Sequence, residues 1–114
     1  MIKLRYDVNP KYPAARVWCD DPAMENVTGL LFSDVQTPQM GATLVRILED
    51  VVSGRRAIYE GSGNGFLVEA DAKVSRVTPE YLSNVTTSVL PTADLIAVIK
   101  EWSAHLEKQA SLRR

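Results

Sequence analysis

The chain has 114 residues, 46% hydrophobic and 24% charged, with one cysteine, one histidine and a formal net charge of −1. A chain of this size and balance folds as one domain around its own core, without disulfide or metal staples. Its composition excludes an internal disulfide and a multi-histidine metal site, and no apolar run nears the ~20 residues that span a bilayer.

Ile2, Leu4 and Tyr6 alternate with Lys3, Arg5 and Asp7. That is the period of a strand with one buried face. It is not the charged-then-apolar pattern of a secretory signal. With a lone thiol, this makes a cytoplasmic protein the expectation, and the sequons at Asn26 and Asn84 chance matches. Asn9-Pro10 and Tyr12-Pro13 read as turn material, and residues 15–19 as a second strand hairpinned to the first. Cys19 is expected there as a small buried side chain. Asp20-Asp21-Pro22 stops that strand, because proline has no amide hydrogen for a ladder. In residues 22–39 the stretch Val27 to Phe32 reads as a short strand or a buried loop, and residues 33–38 as a connection.

From Met40 the period becomes helical. Leu44, Leu48 and Val51 recur four and three apart, with Ile47 and Val52 beside them. Arg46 is placed to pair with Asp50, and Gly54 to stop the helix. Ala57 to Glu60 and Phe66 to Ala70 then read as two strands joined within Gly61-Ser62-Gly63-Asn64-Gly65, where glycine and asparagine suit a tight turn. Val74 and Val77 mark a third strand, ended at Pro79-Glu80, and Val85 to Val89 a further one. Thr92 is the expected N-cap of a closing helix over 92–108. Leu95, Ile99, Trp102 and Leu106 form its buried stripe, and residues 109–114 read as a frayed tail. The expected fold is α+β: an antiparallel β-meander packed against two amphipathic helices, in one domain over 1–108.

The sequence shows little that carries catalytic chemistry. His105 has no second histidine, and nothing near Cys19 marks a nucleophile–base pair. The glycine-rich segment lies between strands, and no lysine follows it within reach. A phosphate-binding loop needs a helix after the glycines. No cofactor is expected. The charge distribution says more. Residues 17–45 hold no lysine or arginine, yet contain Asp20, Asp21, Glu25 and Asp34. Glu60, Glu69 and Asp71 flank the glycine-rich hairpin. Without Lys108, Arg113 and Arg114 near the C-terminus, ten bases stand against fourteen acids, a net of −4. Acidic surfaces repel phosphate backbones and steer basic proteins. Direct nucleic-acid binding is therefore not expected. The acids are either a solvated face or a docking surface, and Glu60, Glu69 and Asp71 are the carboxylates that could serve acid/base chemistry.

The order of parts carries a resemblance. A hairpin start is followed by a helix ending in Val52-Ser53-Gly54, then by Tyr59-Glu60-Gly61-Ser62-Gly63-Asn64-Gly65-Phe66. The chain closes on Leu90-Pro91-Thr92-Ala93-Asp94-Leu95 leading to Lys100-Glu101-Trp102. This resembles small bacterial immunity proteins of contact-dependent growth inhibition and polymorphic toxin systems, over about residues 40–107 and the N-terminal hairpin. The resemblance implies a non-enzymatic antitoxin whose partner is a cognate toxin's C-terminal domain, often a nuclease. Its site residues do not carry over one by one. The candidates from charge are Asp20, Asp21, Glu25, Asp34, Glu60, Glu69 and Asp71. The competing readings are an adaptor for a host protein and a small enzyme built on Glu60, Glu69 or Asp71.

Overall fold

The computed structural model describes residues 2–9, 12–82 and 85–112, with the backbone alone for 7–9, 12–16 and 112. Pro10 of the expected first turn, the sequon at Asn84, and Arg113 and Arg114 of the expected tail lie outside the described residues. Strands β1 (Arg5–Asn9) and β2 (Tyr12–Trp18) form a separate antiparallel pair. Tyr12 and Pro13, expected as turn, are the first residues of β2. Strands β3 (Tyr59–Ser62), β4 (Phe66–Ala70), β5 (Val74–Pro79) and β6 (Ser88–Pro91) form an antiparallel sheet in sequence order, the expected meander.

Among the described residues three α-helices pack on these sheets, not two: α1 (Glu25–Asp34), α2 (Pro38–Val52) and α3 (Thr92–Leu112). The fold is α+β, and α1 is the element missing from the sequence reading. Val27, Thr28, Leu30 and Leu31 are all buried. They face two ways, because α1 packs against β2 and against β4, β5 and β6. A helix buried on several sides has no clean polar face, so its short apolar run reads equally well as a strand. Gly29 lets Phe66 in: a Cβ there would stand 2.5 Å from the ring.

α2 starts earlier than its apolar period shows. Thr37 Oγ1 accepts from the Met40 amide at 3.1 Å, and Pro38 opens the helix. A threonine cap followed by proline at the first helical position is a start signal in its own right. Gly54 ends the helix with φ of 85°, as expected of a left-handed terminus. Asp50 pairs with Arg55 at 3.7 Å, where Arg46 was expected.

α2 packs on α3. Of the expected α3 stripe, Leu95, Ile99 and Trp102 are buried and Leu106 half-buried. Trp102 donates its indole N–H to the Val35 carbonyl at 2.7 Å, joining α3 to the end of α1. The expected cap at Thr92 is not what its hydroxyl does. It donates to the Asp71 carbonyl at 2.7 Å, so the buried Ser75 hydroxyl, 2.8 Å away, must donate to it. The helix start is thereby tied to the β4–β5 turn. The helix continues past Lys108 to Leu112.

Candidate partner-binding surface

The sheet's inner face is apolar: Phe66, Val68, Ala70, Val77 and Leu90 are buried against the helices. Its other face holds Glu60, Glu69 and Arg76, all exposed, with exposed Val74 and Val89. Alternation along each strand produces this division. Glu60 stands directly opposite Glu69, and Glu69 opposite Arg76 on the next strand. The Gly63 amide bonds to the Phe66 carbonyl at the loop. Counting back two residues at a time makes Gly61–Val68 and Tyr59–Ala70 the hydrogen-bonded pairs. Glu60–Glu69 is therefore a non-bonded pair, the kind in which side chains approach most closely. Two like charges there destabilise the sheet. Among the described residues neither glutamate has a cation within 4.0 Å.

Glu60, Glu69 and Asp71 share a cleft of about 370 Å³ with Ile58, Tyr59, Val74 and Arg76. The structure thus brings three of the seven candidate acids together. Asp71 shapes its own turn. Its Oδ1 accepts from the Lys73 and Val74 amides, each at 2.8 Å, and those bonds hold its carboxyl below the usual range. Glu60 and Glu69 are both solvated. Acid/base chemistry by a carboxylate pair needs unlike surroundings for its two members.

The other four acids lie elsewhere. Asp20 pairs with Arg5 through two bonds of 2.9 and 2.6 Å. Asp21 caps the 3-10 turn Pro22–Met24 by accepting from the Ala23 amide at 2.9 Å. Both line a second cleft of about 340 Å³ with Lys3 and Asp94. Cys19 is half-buried beside them, just past β2, and not in a strand core. Its thiol donates to the Asp21 carbonyl at 3.5 Å, and burial pushes its pKa up. Glu25 is exposed near Asn26, whose amide bonds to the Val77 and Thr86 carbonyls.

Asp34 is turned inward. Its Oδ1 accepts from the Gly65 amide at 3.1 Å and its Oδ2 from the Phe66 amide at 3.2 Å. Asn64 donates to the Ser33 carbonyl at 3.0 Å. The end of α1 thus clamps the hairpin loop. The glycines there serve close approach, not positive φ: the only positive-φ glycine among the described residues is Gly54. A Cβ on Gly63 would stand 2.9 Å from Asp34 Oδ2. The residues the sequence reading missed are the exposed apolar ones. Ile58, expected within a strand, precedes β3 and is 63% exposed.

His105 stacks on Tyr6, with ring centroids 3.9 Å apart and planes 12° from parallel, beside Trp102. The Tyr6 hydroxyl and His105 Nε2 are buried without a hydrogen-bond partner among the described residues. Burial, then the Glu101 charge, pushes the Tyr6 phenol well above its usual range. The stack pins β1 to α3. Among the described residues no three histidine, cysteine or acidic side chains are grouped to hold a metal. No helix among them is long and apolar enough to cross a membrane.

Compared with known proteins, the chain matches no family model, no curated protein and no solved structure.

Proposed function

We propose that this chain is an immunity protein. It binds the C-terminal domain of a cognate toxin in the cytoplasm and covers its active or substrate-binding surface, without catalysis of its own. The observation that carries the reading is the solvent face of the sheet. Glu60 and Glu69 stand as a like-charge pair with no ion-pair partner within 4.0 Å among the described residues, flanked by exposed Ile58 and Val74. Such a pair costs stability in the free protein and is relieved by a partner's cation. Exposed apolar side chains beside it supply area to bury on binding. A nuclease is the toxin class that fits, because the surface that grips phosphate is basic. The resemblance in the hairpin and closing helix points the same way.

The test is co-expression with the C-terminal domain encoded immediately upstream, scored by growth and then by co-purification. Rescue with a one-to-one complex is expected. The double variant Glu60→Lys/Glu69→Lys should associate more slowly, and added salt should weaken the wild-type complex. An active toxin domain that the chain neither neutralises nor binds would remove the reading. A host protein recovered instead would make the chain an adaptor.

A further inference from the structure

The sheet order leaves β3 at an edge. It pairs with β4 on one side and packs on α2, and among the described residues no other strand pairs with it. Since Tyr59, Gly61 and Gly63 bond toward β4, the N–H and C=O groups of Glu60 and Ser62 point to the open side. Edge strands are commonly blunted by proline, lysine or a bulge. Tyr59-Glu60-Gly61-Ser62 is short, with one charged side chain, Glu60, but it has no proline or lysine and its ladder with β4 is unbroken.

Beside this edge lies an apolar groove of about 290 Å³. Met40, Leu44 and Ile47, four and three apart on α2, line one wall; Phe66 and Val68 lie across from them. Met40 is 43% exposed and Leu44 and Ile47 are half-buried, so the wall is open to a ligand. A groove between a helix and an open strand edge suits an extended peptide. Main-chain bonds hold it, and alternate side chains enter the groove.

Charge selects the occupant. A strand added at β3 places its other side chains on the solvent face, next to Glu60 and its opposite, Glu69. A second copy of this chain would bring two more glutamates to that face, which argues against self-pairing. We propose that β3 is a strand-addition site for an extended segment of a protein partner, with an apolar side chain in the α2 groove and lysine or arginine opposite Glu60. The proposal deepens the reading of the chain as a binding module and specifies how the toxin docks.

The probe is the peptide acetyl-Lys-Val-Lys-Val-Lys-Val-amide, titrated into the isotope-labelled full chain and followed by NMR. Saturable shifts are expected at the Glu60 and Ser62 amides and the Leu44 and Ile47 methyls, with slowed exchange of those two amides. Ser62→Pro removes an outward donor and leaves the β4 ladder intact, since proline is tolerated where the N–H faces solvent. It should weaken the peptide about tenfold. Glu60→Lys should weaken it as well and favour acetyl-Glu-Val-Glu-Val-Glu-Val-amide. This second variant keeps the test decisive if Ser62→Pro fails to fold. No shifts up to about 5 mM peptide, or shifts indifferent to the folded variants, would overturn the site. Growth rescue by folded Ser62→Pro as strong as wild type would keep immunity and overturn strand addition. Peptide binding lost in Ser62→Pro, from a chain that neutralises no toxin, would keep the site and remove the toxin.

Discussion

Replacing Asp34 by alanine tests whether that acid is a clamp or a contact. The carboxylate accepts from two buried residues' amides, Gly65 and Phe66, at 3.1 and 3.2 Å. Bonds to a charged acceptor contribute about 1.5–3 kcal/mol each, and the partly open loop argues for the low end, so the two together give about 3 kcal/mol. The Ser33 hydroxyl adds little, because it can turn to the Gly29 carbonyl, 3.0 Å away. Asp34→Asn retains one accepting oxygen without charge and should cost about half as much. For a domain of this size 3 kcal/mol lowers Tm by roughly 10 °C. Urea unfolding followed by tryptophan fluorescence should show a lower midpoint with an unchanged slope. Because Asp34 also lines the groove beside β3, the same variant, where folded, should weaken partner binding as well as stability. Stability within about 0.5 kcal/mol of wild type, with partner binding lost, would refute the reasoning and leave Asp34 a contact alone.

Trp102→Phe should cost about 2–4 kcal/mol, since it leaves the Val35 carbonyl unpaired and opens a void in the core; chemical unfolding that shows less than 1 kcal/mol would deny that bond its role. Burial, then Lys108, holds the His105 imidazole below its usual range against the pull of Glu101. The unfolded chain therefore takes up the proton first as pH falls. The stability so contributed is intact above the ordinary value of 6.5 and lost below it. His105→Gln should flatten the decline in stability between about pH 7.5 and 5.5, and an identical decline in both proteins would contradict the assignment. A Cβ on Gly41 would run into the Ser103 hydroxyl where α2 crosses α3. Gly41→Ala should destabilise by about 1–3 kcal/mol, and Ser103→Ala should recover part of the loss; strict additivity in that cycle would show that the two do not touch.

The sequence made the meander and the closing helix legible because their periods are unmixed. Phe66, Val68 and Ala70 face inward and Glu69 outward, and Leu95, Ile99 and Trp102 keep helical spacing. It hid α1, whose partners on several sides erase the polar face that makes a helix readable. It also spread the acids along one dimension. Charge spacing joins Asp34 to Asp20 and Asp21, whereas the fold turns Asp34 toward a loop 31 residues away and leaves Glu60 beside Glu69. Nothing in the spacing shows that α2 lies along β3, so the apolar groove became visible only with the tertiary fold.

The placement of α1 bears on how the chain folds. Among the described residues the two sheets share no ladder, and α1 packs against both. Yet Val27-Thr28-Gly29 at its centre has poor intrinsic helicity. If that segment becomes helical only once surfaces distant in sequence are in place, it belongs to the last cooperative step. Cavity variants at Val27 or Leu31 should speed unfolding and leave the refolding rate nearly unchanged. A fall in refolding rate proportional to the lost stability would put α1 in the nucleus instead.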